Sequence, residues 1–327
     1  MLGRRRREGS KAGTSLRLYY ASDVHGSDVC WKKFLNAATF YEVPTLIMGG
    51  DLCGKGLVPV VSTNGGWTMP FAGEERHVET QEDLEKLEKL VRQSGLYPRR
   101  MTQQEYERIS VDESALHALF EAAIVDGLRA WMELADERLA VSGAEAYVIP
   151  GNDDPWAIDD VLSGRRHVVA CDDTVTYVGE HELLSLGWAN ETPWHTPREF
   201  DEDALYARIK SLAEKLDEAA SAIFNLHVPP YASGLDTATE LDETLKPVLV
   251  GGKPHEIPVG STAVRRLIEE YQPALALHGH IHESRGITSI GRTICINPGS
   301  DYGTGRIEGA VVELEGNRVR HKHLVSG

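Results

Sequence analysis

The sequence has few cysteines and no long apolar segment, and each of these absences excludes a class of protein. Its four cysteines, Cys30, Cys53, Cys171 and Cys295, lie far apart and form no Cys-X-X-Cys pair. A disulfide framework or a zinc knuckle is therefore not expected, and scattered, reduced thiols favour a cytoplasmic protein. The apolar runs are far shorter than the ~18 residues that a membrane-spanning helix requires, so we predict no membrane partner.

The sequence also lacks an excess of positive charge. Its 327 residues carry a formal net charge of −16, which argues against broad, charge-driven binding to DNA, RNA or anionic membranes. The N-terminal MLGRRRREGSKAG is basic but has no apolar stretch, so it does not read as a secretory signal. We predict that residues 1–14 form a disordered basic tail, with a nucleic-acid-binding arm as the alternative.

Strand-like and helix-like segments alternate along the first half of the chain. Apolar strand-like segments cover 16–22, 45–50 and 146–151, and DVCWKKFLNAATF reads as a helix after the first of them. This order predicts a mostly parallel sheet covered by helices, in which ligands bind beyond the carboxyl ends of the strands. The second half is richer in strands, with helices predicted at 201–220 and 262–271.

About a hundred residues separate the second and third predicted strands, and a connection this long needs secondary structure of its own. Apolar residues recur there at helical spacing, first at Leu84, Leu87, Leu90 and Val91, and then at Leu116, Leu119, Ile124, Leu128 and Trp131. We predict a largely helical insertion at 54–142 within a domain spanning 15–327. The insertion is either a cap over the functional site or a crossover that does not contact the substrate.

Seven side chains of metal-binding type follow the ends of predicted strands: Asp23, His25, Asp51, Asn152, His227, His280 and His282. Any one of them could cap a turn, but seven in succession at strand ends are hard to explain in that way. Carboxylates, an amide oxygen and neutral imidazoles are the ligands that Mn, Fe and Zn use in proteins. Seven ligands are enough for two metals if one carboxylate bridges them.

The motifs around these residues, DVH, GGD, GND, NLHVPP and GHIH, resemble in order the five signature blocks of the calcineurin-like metallophosphoesterases. INPGS at 296–300 resembles the turn that follows the last block, and the resemblance covers residues 17 to about 302. It implies an α/β fold, a four-layer αββα sandwich that holds two metals. The ligands would be Asp23, His25, Asp51 and His282 for the first metal, and Asp51, Asn152, His227 and His280 for the second.

The resemblance further implies phosphoester hydrolysis in which a hydroxide bridging the two metals attacks phosphorus. Mn and Fe are the expected metals, with Zn, Co or Ni as alternatives. His278 lies outside the ligand pattern, and we predict that it is a core or supporting histidine. The 229–260 segment lies between two ligand blocks and is either a specificity loop or an ordinary long connection.

One position departs from the family pattern, because Asp153 stands where the third block usually has a histidine that protonates the leaving group. A carboxylate beside two cations should be ionised, should donate protons poorly and should repel a phosphate dianion. We therefore favour a phosphodiesterase, with His195 or His77 as the alternative proton donor. Arg198 either clamps a phosphate or is solvated, and Trp188 and Trp194 either stack on a base or pack in the core.

The favoured function is hydrolysis of a small phosphoester, with nucleotide-like substrates included, by a protein whose oligomeric state the sequence does not indicate. A phosphomonoesterase or protein phosphatase is the alternative enzyme. The alternative of another class is a weakly active metal-binding scaffold that binds a partner protein through the helical insertion. Nucleic acid is disfavoured as a partner by the negative net charge.

Overall fold

The computed structural model describes residues 15–327, and the predicted tail at 1–14 lies outside the described residues. Seven α-helices are found in the described part of the chain: α1 (Asp28–Phe40), α2 (Gln81–Gln93), α3 (Gln103–Val111), α4 (Glu113–Ser142), α5 (Asp159–Leu162), α6 (Glu202–Ala213) and α7 (Thr262–Tyr271). The strands are β1 (Leu16–Ala21), β2 (Thr45–Met48), β3 (Gly56–Thr63), β4 (Gly66–Phe71), β5 (Glu74–Val78), β6 (Leu96–Met101), β7 (Glu145–Val148), β8 (Val168–Ala170), β9 (Thr174–Val178), β10 (His181–Leu186), β11 (Ala189–Asn190), β12 (Glu199–Phe200), β13 (Ile223–Leu226), β14 (Thr237–Thr239), β15 (Leu249–Val250), β16 (Lys253–Pro254), β17 (Glu256–Pro258), β18 (Leu275–Leu277), β19 (Gly286–Ile290), β20 (Thr293–Asn297), β21 (Glu308–Glu315) and β22 (Arg318–Ser326). The fold is mixed α/β, as predicted. Within 15–327, no helix combines the length and the apolar composition needed to cross a membrane.

Two six-stranded sheets form the body of the molecule. The first sheet has the strand order β22-β21-β1-β2-β7-β8, and the second has the order β19-β20-β18-β13-β10-β9. In the first sheet β1, β2, β7 and β8 are parallel, while β21 and β22 are antiparallel additions at one edge. In the second sheet β10, β13, β18 and β20 are parallel, with β9 and β19 antiparallel at the two edges.

The parallel strands are short and almost wholly buried, which is the pattern of sheets covered on both faces. Alternation along β1 shows this directly, because Tyr19 belongs to a core cluster with residues of α1 and α4, whereas Tyr20 belongs to a cluster with residues of the second sheet. Residues of α6 and α7 form a third cluster with the second sheet.

Helix α4 is fixed to α1 by two tryptophans. The rings of Trp31 and Trp131 stack with their centroids 5.0 Å apart and an angle of 3° between the planes. Trp131 Nε1 donates to Asp28 Oδ1 at 2.6 Å, and Trp31 Nε1 donates to the Trp131 carbonyl at 3.1 Å. With 30 residues, α4 is about 45 Å long, so its N-terminal half extends beyond this anchored region.

The 54–142 segment contains α2, α3 and α4, but it also contains a four-stranded sheet of order β5-β4-β3-β6, which the sequence analysis did not predict. The β5 sequence EERHV is almost entirely exposed and carries no alternating apolar pattern, and both β3 and β4 contain proline. The polar β5 gives no periodic signal in the sequence, and proline within a run argues against a strand. The predicted helix at 201–220 is also shorter than expected, because α6 ends at Ala213.

Candidate metal centre

Five parallel strands of the two sheets end near one another, and the predicted ligands follow those ends. All seven predicted residues lie there: Asp23 and His25 after β1, Asp51 after β2, Asn152 after β7, His227 after β13, and His280 and His282 after β18. In each of three groups the ligand atoms all lie within 4.8 Å of one another: Asp23, His25 and His282; Asp51, His227 and His280; and His25, Asp51 and Asp153. The structure thus brings the predicted set together, and these buried clusters could hold metal ions.

Asp51 lies between the histidines of the two clusters. Its Oδ2 is 3.5 Å from His25 Nε2 on one side and 3.5 Å from His227 Nε2 on the other. The carboxylate is buried, with 2% of the residue exposed. A single buried carboxylate that faces both imidazoles has the position required of a bridging ligand.

The orientation of His227 shows that its Nε2 needs a cation or a proton beside it. Its Nδ1 is 2.7 Å from the Gly49 carbonyl, so Nδ1 carries a hydrogen and donates it. Its Nε2 faces two acceptors, Asn152 Oδ1 at 2.9 Å and Asp51 Oδ2 at 3.5 Å. Burial alone lowers the pKa of His227, but the Asp51 carboxylate overrides burial and raises that pKa to about 10. A proton therefore occupies the position between imidazole and carboxylate that a metal ion would fill.

The imidazoles of the other cluster differ in the direction of their pKa shifts. Burial lowers the pKa of His25 to about 3, and the pKa of His280 in the Asp51 cluster to about 4. His282 is buried too, but its hydrogen bond to Asp23 raises its pKa. His282 Nε2 lies 3.0 Å from His25 Nε2, so one of these two nitrogens donates a hydrogen to the other. The donor set of carboxylates, an amide oxygen and imidazoles fits Mn, Fe or Zn.

The proton on His227 gives a testable prediction, a release of at least one proton when both sites are loaded with Mn²⁺ at pH 7. The pKa of His227, about 10, lies above pH 7, so the metal-free protein holds that proton and metal binding must displace it. Metal affinity should accordingly rise with pH. Calorimetry in two buffers of different ionisation enthalpy measures the number of protons released. Metal binding with no proton release would contradict the assignment.

Four of the candidate ligands have a backbone conformation that side-chain-bearing residues rarely adopt. The φ angles are 56° at Asp23, 37° at His25, 52° at Asp51 and 65° at His280. Each such residue costs on the order of 1 kcal/mol, and strained residues of this kind cluster at functional sites. The strain is held by hydrogen bonds between the loops, including Asp23 N to Gly50 O at 2.9 Å and His280 N to Asp23 Oδ1 at 3.0 Å.

At two positions of the motifs the backbone lies so close to a carboxylate that only glycine fits. A Cβ on Gly151, which precedes Asn152, would overlap Asp51 Oδ1, and a Cβ on Gly279 would overlap Asp23 Oδ2. The absence of a side chain at Gly151 allows the loops after β2 and β7 of the first sheet to approach each other, and its absence at Gly279 allows the loop after β18 of the second sheet to approach the loop after β1.

Asp154 is a supporting residue that sequence analysis missed. It is fully buried, and its carboxylate accepts hydrogen bonds from three backbone N–H groups: Leu52 at 3.0 Å, Cys53 at 2.8 Å and Gly151 at 2.8 Å. Burial and the nearby Asp51 raise its pKa to about 6 although these donors oppose the shift. Asp154 thereby joins the loop after Asp51 to the loop that carries Asn152. The signal for Asp154 in the sequence was the second aspartate of the PGNDD motif.

Other polar side chains orient the ligands. Asn152 Nδ2 donates to Thr196 Oγ1 at 2.9 Å, which turns its oxygen towards His227. Asn297 of the INPGS turn is buried, and its Nδ2 donates to the Ile281 carbonyl at 2.9 Å. His278 is buried as predicted, with Nδ1 2.9 Å from the Leu226 carbonyl. Ligand orientation by such partners is typical of metal sites.

Asp153 has a charged partner on the neighbouring loop. Lys55 Nζ lies 2.6 Å from Asp153 Oδ2, in an ion pair that the sequence analysis missed. Burial and the Asp51 carboxylate raise the pKa of Asp153, while Lys55 lowers it. The signal in the sequence was the lysine of GGDLCGK, four residues after Asp51.

The remaining predicted polar residues lie elsewhere. His195 is exposed and belongs to none of the three groups of possible metal ligands; His77 is exposed on β5. Both expectations for Arg198 were wrong, because it is buried, donates to the Asp154 carbonyl at 2.9 Å and lies over the Trp156 ring. The carbonyl to which Arg198 donates lies just after Asn152 and far from Arg198 in the chain. The spacing of residues in the sequence does not reveal such a contact.

A cleft of about 840 Å³ opens over the clusters. Asp51, Asn152, His280 and His282 line it together with Lys55 and Asp153. The N-terminal half of α4 contributes the wall formed by His117, Phe120, Glu121 and Ile124. The loops at 190–197 and 238–241 contribute further residues, among them Trp194, which is 61% exposed. Trp188 instead packs on Phe200 with ring centroids 4.0 Å apart.

Comparison with known proteins finds similar folds but does not show the function. No family model matches the sequence. The chain is 31% identical over 157 residues to the uncharacterized protein MJ1162 of Methanocaldococcus jannaschii, a match that covers 47% of this chain and 63% of that relative, less than two thirds of its length. The crystal structure of TT1561 of Thermus thermophilus aligns with a TM-score of 0.51 at 16% identity, covering 95% of this chain and 99% of that chain.

Two further solved structures also align with the chain. One crystal structure aligns with a TM-score of 0.53 at 15% identity, covering 95% of this chain and 99% of that chain. Another, described as a novel archaeal phosphodiesterase, aligns with a TM-score of 0.33 at 11% identity, covering 95% of this chain and 100% of that chain. At these identities the likeness to TT1561 and to the first of these two structures, each with a TM-score above 0.5, is a likeness of fold alone.

Proposed function

We propose that this protein is a binuclear metallophosphoesterase of the calcineurin-like type, acting as a phosphodiesterase. The observation that carries the proposal is the position of Asp51, buried between two groups of metal-binding side chains at the strand ends of two sheets. The core clusters support the four-layer αββα arrangement expected of such enzymes. One cluster contains residues of both sheets, and the other two contain residues of one sheet and its helices.

The proposed ligands divide as the resemblance implies. Asp23, His25 and His282 would hold one ion, His227, His280 and Asn152 the other, and Asp51 would be shared. The ions, with Mn and Fe favoured, would neutralise phosphate oxygens and acidify a water molecule when bound. Asp51 must supply charge to both sites, His227 must release its Nε2 proton, and Gly49 O holds the ring in the required orientation.

The cleft supports a small organic phosphodiester as substrate. Its volume, about 840 Å³, lies within the range of ~300–1,000 Å³ that is usual for small-molecule sites. Phe120, Ile124, Ile257 and Val259 give it an apolar wall, and Trp194 offers an exposed ring on which a base could stack. The cleft is also lined by Glu121, Glu191, Glu240 and Glu283, which disfavour polyanions such as nucleic acid.

We further propose that the 54–142 insertion acts as a cap through α4. Residues of the N-terminal half of α4 line the cleft, while Trp131 in its C-terminal half stacks on α1. A helix anchored at one end and lining the site at the other is suited to contact the organic group of the substrate. Residues of the 229–260 segment form another wall of the cleft, as expected of a specificity loop.

The proposal is tested with metal-free protein reconstituted separately with Mn, Fe, Zn, Co or Ni. Turnover of a bis-aryl phosphate and of an aryl monophosphate is measured at matched metal content. We expect metal-dependent hydrolysis with the diester favoured. A preference for the monoester would support the second candidate, a phosphomonoesterase, which is favoured by the partial neutralisation of Asp153 by Lys55. Bound metal without turnover of either substrate would contradict an enzymatic function.

A further inference from the structure

The cleft contains one side chain with a permanent positive charge. Among the residues of 15–327 that line it, Lys55 is the only lysine or arginine, whereas six carboxylates line the same cleft: Asp51, Glu121, Asp153, Glu191, Glu240 and Glu283. A substrate phosphate entering the cleft would therefore meet a single fixed cation apart from the metal ions. That cation lies beside the candidate metal centre, through its contact with Asp153.

One ion pair holds the Lys55 ammonium, and hydrogen bonds between the loops hold the residues on each side of that pair. Asp153 Oδ2 holds Nζ at 2.6 Å, and the Asp153 backbone N–H donates to Asp51 Oδ1 at 3.1 Å. Asp154, the next residue, bonds the backbone of Leu52 and Cys53 and so secures the loop that leads to Lys55. The ammonium is thus tied to the bridging carboxylate rather than to the free surface.

The exposure of the pair shows which partner can reach a ligand. The Lys55 side chain is 50% exposed, whereas the Asp153 side chain is 24% exposed. Asp153 also belongs to a group with His25 and Asp51 whose ligand atoms lie within 4.8 Å of one another. The carboxylate therefore faces the clusters, and the ammonium retains donors that are free to contact a molecule in the cleft.

We propose that Lys55 binds a non-bridging oxygen of the substrate phosphate, with Asp153 as the residue that positions it. This role rests on the proposed function and deepens it. It also accounts for an aspartate at the position where the resemblance predicts a histidine, because the phosphate contact is then supplied by Lys55 and the aspartate supplies its anchor. An ammonium on a flexible chain needs such an anchor to act at a defined point.

The test compares Lys55→Met and Lys55→Arg in the Mn-loaded protein, with inorganic phosphate as the probe and calorimetry as the readout. Losing one charge-assisted hydrogen bond should weaken phosphate binding by roughly ten- to a hundred-fold in Lys55→Met, with a matching rise in KM where turnover is measured. Lys55→Arg should recover much of the affinity. Metal content should be unchanged in both variants, because Lys55 is not among the candidate ligands.

Lys86→Met is the matched control, since Lys86 forms ion pairs with Glu82 and Asp83 on exposed α2 and does not line the cleft. It should leave phosphate binding unchanged. If Lys55→Met lowers only the melting temperature and phosphate binds as before, Lys55 is merely a structural partner of Asp153 and the inference is wrong. Wild-type protein that binds no phosphate also overturns it. Because the probe needs no turnover, an absence of hydrolysis would contradict the proposed function separately.

Discussion

Asp51→Asn is expected to lower kcat for phosphoester hydrolysis by at least about a thousand-fold, equivalent to roughly 4 kcal/mol of transition-state stabilisation. Asp51 is the one carboxylate that lies 3.5 Å from imidazoles of both clusters. An amide has the same shape but no charge, so it cannot serve two cations. The variant should also lose at least one of the two metals, which elemental analysis would measure beside the activity.

The same variant should fold normally. Asparagine retains an oxygen that can accept the hydrogen bond from Asp153 N, and it removes a buried negative charge. At pH 7 the metal-free variant should fold but melt below the wild-type temperature, because it loses the buried pairing between the Asp51 carboxylate and the protonated His227, and the rise in melting temperature on adding Mn²⁺ should also be reduced. Asp126→Asn, an exposed substitution on α4, is the control and should leave both quantities unchanged. Retention of two metals and a tenth of the activity would show that Asp51 is not the bridge.

Asp154→Ala is expected to destabilise the protein by about 3–5 kcal/mol, because it leaves three backbone N–H groups without their acceptor. Those groups belong to Leu52, Cys53 and Gly151, which lie on either side of the metal-binding clusters. Burial raises the pKa of this carboxyl to about 6, and the three N–H donors oppose that shift, so these hydrogen bonds stabilise the buried carboxylate.

The neighbouring Asp153→Ala gives the matched control for stability. It breaks one ion pair with a half-exposed lysine, and pairs of that kind contribute less than about 1 kcal/mol. Denaturant unfolding of the two metal-free variants should separate them clearly. Equal destabilisation by the two substitutions would show that Asp154 does not join the loops.

The close approach of the candidate ligands could be predicted because parallel strands bring their carboxyl ends to one edge. Asp23, Asp51 and Asn152 each follow a buried strand of the first sheet, and His227 and His280 follow strands of the second. Buried strands are recognisable as short apolar runs, so the residues after them could be found from the chain alone. The protonation of these side chains could not be predicted, because their pKa shifts depend on distances between loops.

The supporting residues could not be predicted because they act across loops that meet only in the folded chain. Lys55 and Asp153 are 98 positions apart (153 − 55) yet pair at 2.6 Å. Arginine is usually a surface residue, but Arg198 donates to the carbonyl of Asp154 and lies over the ring of Trp156. The sheet in the insertion was missed for a different reason, since β5 is polar and exposed and both β3 and β4 contain proline, which argues against a strand.

The central claim is that two metal ions share Asp51, and anomalous scattering from crystals grown with saturating Mn²⁺ tests it most directly. The account predicts two ions at full occupancy. One should lie among Asp23, His25 and His282, the other among Asn152, His227 and His280, and Asp51 should contact both. A single ion at full occupancy, or two ions without Asp51 between them, would contradict the account.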